Sequence, residues 1–143
     1  MIMGSTVFEA FSHTARQFPA RPFLNVLPET AALYGIKPGE IRYDEALAEV
    51  TRLRSALAAA GLAPGHRVML LLENRPAFFL WWLAVNALGA SVVPVNPDLR
   101  AAELEYMAGH VTPALAVAIP ARITDLEAAA QAAGITMPVI APD

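Results

Sequence analysis

The fold of this chain is decided by residues 67–72, which read RVMLLL, and by residues 91–95, which read SVVPV. Both runs are short and largely apolar, and the first does not alternate apolar with polar positions. Strands that are buried on both faces of a parallel sheet have this uninterrupted pattern. The first run therefore predicts a central strand, and the second predicts another buried strand.

Two further strands are predicted downstream, over residues 114–119 and 135–141, and a helical pattern fills each interval between the four strands. Strands that alternate with helices are typical of consecutive βαβ units. The predicted fold class is therefore α/β, with a mostly parallel sheet and helices on both faces. Pro138 has no amide hydrogen to donate, so the last strand is expected to be short or to lie at an edge.

The segment before these strands predicts two helices, over residues 6–18 and 44–60, because apolar residues recur there three and four positions apart. Between them, residues 23–27 have the character of a short strand, and a turn-rich stretch follows around Gly35. Residues 41–43 are predicted to pair back as a second short strand. The chain therefore begins with helices and a hairpin before its parallel sheet.

Several residues mark where the later helices are expected to begin or end. Asn74 is a candidate cap for the helix that has Pro76 in its first turn. Gly109 is the expected end of the helix that opens near Asp98. Thr124 begins the sequence TDLE, a capping-box pattern that predicts the start of an alanine-rich helix.

Residues 77–95 carry no charge over 19 consecutive positions, which is long enough to consider a membrane-spanning helix. Asn86, Gly89 and Pro94 divide this run into a helix-length piece and a strand-length piece. A buried helix followed by a buried strand explains the same pattern without lipid. The membrane span is retained as the weaker alternative.

Composition excludes some functions and favours others. With 143 residues the chain suits one domain. The net charge of −3 comes without a run of basic residues, so nucleic-acid binding is not expected. The chain has no cysteine and its first residues do not resemble a secretory signal, which favours a cytoplasmic location.

The apolar content is 56%, above the share in an ordinary soluble domain, which is roughly 45–50%. An excess of this kind predicts an exposed apolar surface that packs on a partner. The expected partners are more of the same protein, downstream of this chain, or a second copy in a homodimer.

Residues with catalytic or metal-binding chemistry are present but not in productive arrangements. Ser12 and His13 are adjacent on a predicted helix, where neighbouring side chains diverge. His66 and His110 have no second ligand at metal-binding spacing. The sequence also contains no GxGxxG, GxxxxGK[ST] or GxSxG motif. We therefore assign no catalytic residue and no metal ligand.

Several stretches, in the right order, resemble the AMP-forming acyl-CoA synthetases and their adenylate-forming relatives. Residues 42–45, RYDE, resemble the family's early Tyr-x-Glu motif. Residues 61–68 resemble the turn that usually ends Gly-Asp-Arg-Val, with His66 in place of the aspartate. Residues 93–97, VPVNP, followed by Glu103-Leu104, resemble the most specific block. The resemblance extends over nearly the whole chain.

This resemblance implies an enzyme that joins a carboxylic acid to ATP in the presence of Mg²⁺, giving an acyl-adenylate, and then transfers the acyl group to CoA. The family's phosphate loop, its aromatic-Gly-x-Thr-Glu motif, its ribose-binding aspartate and its C-terminal lysine do not occur in these residues. This chain alone is therefore expected to bind no cofactor and to be inactive. The resemblance also implies that Arg100 approaches the phosphates of CoA in the parent enzyme, the alternative being an ordinary solvent-facing arginine.

The predicted domain organisation follows from the same resemblance. Residues 1–143 are expected to be the N-terminal α/β subdomain of a longer synthetase, whose ATP-binding core and C-terminal domain are absent from this chain. The alternative is a standalone, non-catalytic domain that binds a partner.

Overall fold

The computed structural model describes residues 6–143, which form two compact units. Unit 1 consists of the residues up to Gly61 together with Asn74–Leu88. Unit 2 consists of Leu62–Glu73 and Gly89–Asp143.

Unit 1 combines helices with a two-stranded ribbon. Its helices are α1 (Val7–Gln17), α2 (Pro28–Tyr34), α3 (Tyr43–Ala59) and α4 (Pro76–Ala87), and its strands are β1 (Pro22–Val26) and β2 (Gly39–Arg42). The two strands pair antiparallel, as predicted for a chain that folds back after residue 35. The seven-residue helix α2 was not predicted, because it is too short to show a helical repeat.

Glutamates at the third helical position cap both long N-terminal helices of unit 1. In α1, the Thr6 hydroxyl accepts the Glu9 amide at 3.1 Å, and a Glu9 carboxylate oxygen accepts the Thr6 amide at 2.8 Å. In α3, the carboxylate of Glu45 accepts the amide of Arg42 at 2.8 Å. Each bond satisfies a backbone donor that the helix itself leaves unpaired.

Unit 2 contains the parallel sheet. Its strands are β3 (Arg67–Leu71), β4 (Ser91–Pro94), β5 (Leu115–Ala118) and β6 (Val139–Ile140), and its helices are α5 (Ala101–Val111) and α6 (Ile123–Ala133). The strand order is β4-β3-β5-β6 and every pairing is parallel. This confirms the α/β class and the interior position of β3.

One face of this sheet packs on α5 and α6. Met69 and Leu71 on β3 join Leu104 of α5 and Leu126 of α6 in a buried apolar cluster. The alternate β3 residues Val68 and Leu70, and Val117 of β5, lie on the opposite face and are also 0% exposed. Burial on both faces is the reason that these strands read as unbroken apolar runs.

The prediction that Gly109 ends a helix was wrong. Gly109 lies inside α5, which continues to Val111 and ends at Thr112 in the left-handed conformation, with φ 48°. A β-carbon at Gly109 would lie 3.5 Å from the β-carbon of Ala133 on α6. That distance is an ordinary van der Waals contact, so the position has room for a methyl group and does not require glycine.

Two predicted helix caps were also wrong. Helix α4 has Pro76 at its first position, so the cap position falls on Arg75 and Asn74 lies one residue too early. Helix α6 begins at Ile123, after a single 3₁₀ turn, so Thr124 lies inside the helix. Neither helix has a side-chain hydrogen bond at its cap.

The end of the sheet agrees with the prediction made from Pro138. Only Val139 and Ile140 pair with β5, and β6 is an edge strand. Pro138 contributes its carbonyl oxygen, which accepts the amide of Ala116 at 2.9 Å. The proline therefore stays in register without donating a hydrogen bond.

The uncharged run over residues 77–95 divides as predicted. Helix α4 ends at Ala87, β4 begins at Ser91, and Gly89 between them has a φ of 71°. Across residues 6–143, none of the helices combines the length and the apolar character needed to cross a membrane.

Candidate functional site

The turn that follows β4 carries Arg100, the residue for which the sequence suggested a binding role. Asn96 closes this turn twice, because its side-chain oxygen accepts the Asp98 amide at 2.9 Å and its carbonyl accepts the Leu99 amide at 3.2 Å. Such Asx turns allow the chain to reverse directly after a strand. The turn places Arg100 at the start of α5.

Arg122, at the start of α6, fixes this turn through hydrogen bonds. Its guanidinium donates hydrogen bonds to the carbonyl oxygens of Pro97 and, at 2.6 Å, of Leu99. It also donates to a carboxylate oxygen of Asp125 at 2.6 Å. The Arg122 side chain is only 19% exposed, so these bonds form in a partly desolvated setting where they are stronger than in water. Sequence reasoning missed this role because the residues involved are more than 20 positions apart.

Arg100 itself is exposed and occupies the cap position of α5. Its amide donates to the Glu103 carboxylate at 2.8 Å, so the start of α5 already has a negative partner. Glu103 is exposed, and its carboxylate supplies the cap of α5. Within residues 6–143 the Arg100 guanidinium has no ion pair, which leaves its donors available to a phosphate or carboxylate.

The turn lies at the carboxyl edge of the parallel sheet. Residues 96–100 follow the carboxyl end of β4, and residues 119–122 follow the carboxyl end of β5. Ligands of open α/β sheets bind in the crevice outside the carboxyl ends of the strands. The position of Arg100 is therefore consistent with a binding role.

Two of the three histidines, His66 and His110, make contacts within the fold. His66 accepts the Ala63 amide on Nδ1 at 3.0 Å and so closes the turn before β3. The ring of His110 stacks on the ring of Tyr106, with centroids 5.6 Å apart. No cluster of three or more His, Cys, Asp or Glu side chains that could hold a metal ion is found in residues 6–143.

Ser12 and His13 do not form a catalytic pair. Ser12 is 3% exposed, whereas His13 lies on the exposed surface of α1. The two side chains point to different sides of the helix, as the sequence predicted.

Unit 1 also contains an apolar groove of about 320 Å³ between α1, β1 and α4. Phe11, Phe23 and Tyr43 form its inner wall as an aromatic cluster, with ring centroids 4.9–6.0 Å apart. Trp82 and Phe79 also line the groove, and Phe79 is 38% exposed. Tyr43 belongs to the Tyr-x-Glu motif, so this motif combines an aromatic contact with the cap supplied by Glu45.

Comparison with known proteins identifies relatives over most of the chain. The chain is 37% identical over 95 residues to 2-succinylbenzoate–CoA ligase of Escherichia coli K12, which aligns 66% of this chain and 21% of that protein. It is 33% identical over 141 residues to the medium/long-chain-fatty-acid–[acyl-carrier-protein] ligase FadD10 of Mycobacterium tuberculosis H37Rv, covering 99% of this chain and 24% of that protein. The chain therefore spans about a quarter of these relatives or less.

Solved structures agree on the fold. The luciferase-like enzyme of the mealworm Zophobas morio superposes on 96% of this chain with a TM-score of 0.85, at 17% identity and over 31% of its own chain. Residues 11–141 match the family described as AMP-binding enzyme. Because that match extends over most of its length, the chain belongs to the AMP-binding enzyme family.

Proposed function

We propose that residues 1–143 form the N-terminal α/β subdomain of a longer ATP-dependent acyl-CoA ligase. The observation that carries this proposal is the family match over residues 11–141, combined with a span of only 21–24% of the curated relatives. In this proposal the ATP-binding core and the C-terminal domain belong to sequence outside these residues.

The proposed reaction has two steps. A carboxylate attacks the α-phosphate of ATP, which releases pyrophosphate and gives an acyl-adenylate. The CoA thiol then attacks the acyl carbon and displaces AMP. The relatives are named for different acids, so the substrate we propose is a carboxylic acid as a class.

The described residues do not suit Mg²⁺, because they hold no cluster of carboxylates or histidines that could ligate it. We therefore assign the metal, ATP and the reacting atoms to the rest of the enzyme. This chain alone is expected to be inactive, and its contribution is to support that machinery.

Within the full enzyme, Arg100 is proposed to contact the phosphates of CoA. Its exposure, its unpaired guanidinium and its position at the carboxyl edge of the sheet support this role. Arg100→Gln should raise KM for CoA and leave ATP-dependent adenylate formation unchanged. Arg52→Gln is a matched control, because Arg52 already pairs with Glu49 at 2.6 Å. An unchanged KM for CoA would leave Arg100 as an ordinary surface arginine.

The decisive experiment is pyrophosphate release from ATP across a panel of carboxylic acids. It compares this chain with a protein that continues into the downstream reading frame. We expect release only from the longer protein. If no downstream ligase sequence exists, the standalone binding domain becomes the better explanation.

We also propose that this chain by itself associates through exposed apolar side chains, and that in the full enzyme downstream sequence covers some of them. Leu33 is 77% exposed, Val7 is 48% exposed and Phe79 is 38% exposed, all in unit 1. Sedimentation velocity should show dimers or larger species that Leu33→Ser and Phe79→Ser reduce. A monodisperse monomer at high concentration would contradict the proposal.

The proposed location of the protein is the cytoplasm, because the sequence contains no cysteine.

A further inference from the structure

A second, polar pocket lies in unit 1 where α1, α3 and the end of α4 meet. Its cavity has a volume of about 360 Å³. Its wall includes Phe8, Glu9, Ser12, Arg16 and Arg54. Unlike the apolar groove, it is lined mainly by charged and hydroxyl-bearing side chains. Its chemistry therefore suits a polar, charged ligand.

The hydroxyl of Ser12 is the least expected feature of this pocket. Ser12 is 3% exposed, and its oxygen is the one buried side-chain polar atom in residues 6–143 that has no hydrogen-bond partner. Leaving a buried hydroxyl unpaired costs free energy, so native proteins rarely retain one. An alanine at this position would avoid that cost. A function for the Ser12 hydroxyl would explain why serine, and not alanine, occupies this position.

Two arginines stand beside Ser12. Arg16 lies one turn further along α1, on the same helical face as Ser12, because residues four apart are neighbours on a helix. Arg54 comes from α3, and its guanidinium lies 5.3 Å over the ring of Phe8. Stacking on a ring leaves the N–H groups at the guanidinium edge free to donate.

Neither arginine is neutralised by an ion pair among the described residues. The nearest acid in the pocket is Glu9, and its carboxylate already accepts the Thr6 amide at 2.8 Å in the cap of α1. Two guanidinium groups and one carboxylate leave the pocket with a net positive charge. An anion with several acceptor oxygens would compensate it.

We propose that this pocket binds a phosphate group through the guanidinium groups of Arg16 and Arg54 and the hydroxyl of Ser12. The arginines supply paired donors that match phosphate oxygens, and Ser12 supplies a third donor. The phosphate is either a free ion or the end of a larger molecule. This site shares no residue with the Arg100 turn and does not depend on the proposed ligase activity.

The first test is titration of the 143-residue chain with inorganic phosphate, followed by amide chemical shifts at constant ionic strength. We expect saturable shifts in α1 and around residue 54, with sodium chloride and acetate giving none. Arg16→Gln and Arg54→Gln should each weaken binding by about tenfold, the loss of one charge-assisted contact. Arg52→Gln, two residues from Arg54 but paired with Glu49, should bind as the parent does.

Methyl phosphate distinguishes the two sources of the anion. Tighter binding of methyl phosphate assigns the site to the phosphoryl end of an organic molecule, and tighter binding of inorganic phosphate assigns it to the free ion. Either result supports the site. Non-saturable shifts, equal shifts with acetate, or unchanged binding in the Arg16→Gln/Arg54→Gln double variant would overturn it.

Ser12→Ala separates a binding role from a structural one and is not expected to impair folding. If the hydroxyl serves binding, the variant should have a higher Tm than the parent without phosphate and a smaller gain in Tm when phosphate is added. A lower Tm without phosphate, combined with an unchanged gain, would assign the hydroxyl to the packing of α1 and exclude it from the site.

Discussion

The core of unit 2 is built from aliphatic side chains and alanines on a parallel sheet, whereas unit 1 adds to its own aliphatic core a group of aromatic rings from α1, β1 and α3. In unit 2, Met69, Leu71, Leu104 and Leu126 form one closed cluster. In unit 1, the rings of the aromatic cluster form one wall of an open groove. The two units therefore bury apolar surface to different degrees of completeness.

The exposed apolar side chains follow the same division. Five of the seven large apolar side chains that are exposed in residues 6–143 belong to unit 1. They are Val7, Phe18, Leu27, Leu33 and Phe79. The apolar groove, the Ser12 pocket and the buried unpaired hydroxyl also belong to unit 1. Among the described residues, unit 1 is therefore the part with more of the exposed apolar side chains.

The largest expected effect tests the closed core of unit 2. Leu126 is 0% exposed, and Leu126→Ala should lower the free energy of unfolding by about 2–5 kcal/mol, because the cavity lies among packed side chains that cannot collapse into it. Urea denaturation monitored by circular dichroism measures the change.

The matched control is Leu33→Ala in unit 1, at a leucine that is 77% exposed. We expect it to change the stability by less than about 0.5 kcal/mol. Both variants are compared at a protein concentration low enough for the chain to be monomeric. A loss at Leu33 as large as that at Leu126 would then mean that Leu33 is buried within the chain, and the contrast between the units would fail.

The next effect concerns two glycines at the packing of α5 on α6. Gly134 ends α6 with a φ of 70°, so Gly134→Ala should destabilise the protein by roughly 1–2 kcal/mol. Gly109 lies in the interior of α5 with room for a methyl group, so Gly109→Ala should stabilise it by about 0.5–1 kcal/mol. Thermal unfolding of both variants measures whether each substitution raises or lowers the stability. Destabilisation by Gly109→Ala would mean that α5 and α6 pack too closely at this position to accept a methyl group.

The contrast between the units also explains how far the sequence could predict the fold. The strands of unit 2 were predicted because a sheet buried on both faces leaves an unbroken apolar run, as in residues 67–72. Pro138 could be placed at an edge because it has no amide to donate. Helix α2 was missed because seven residues carry almost no periodic signal.

The candidate sites were harder to predict because they depend on distant contacts. Arg100 was suggested by family resemblance alone, and nothing local in the sequence indicates that Arg122 fixes its turn. The polar pocket that contains Ser12 forms only where α1 and α3 meet, and no sequence motif predicts that contact. His66 is an intermediate case, because its position in the turn was visible but its bond to Ala63 was not.

Smaller effects are expected from the glutamate caps, which occur in both units. Glu45→Ala in unit 1 and Glu103→Ala in unit 2 each remove a carboxylate that accepts a cap amide at 2.8 Å. Each should cost about 0.3–1.5 kcal/mol, because the amide then loses its partner at the helix end. Glu105→Ala is the control, since Glu105 is exposed on α5 and makes no cap. Equal losses in all three variants would show that the removal of a helical glutamate in general, and not the loss of the cap hydrogen bond, is being measured.

The smallest effect is a pH dependence on the surface of α3. The Arg52 guanidinium donates two hydrogen bonds to the Glu49 carboxylate, at 2.9 and 2.6 Å, and thereby lowers the pKa of Glu49. A carboxyl whose pKa is lower in the folded state stabilises the fold above its unfolded pKa, and this contribution is lost as pH falls through the folded value. Arg52→Gln should therefore be slightly less stable than the parent near neutral pH, with the difference vanishing in acid. Arg54→Gln removes the same charge, but Arg54 has no acidic partner in residues 6–143, so its stability difference from the parent should not shrink in acid. If both variants differ from the parent by an amount that does not change with pH, the Arg52–Glu49 pair is not the cause.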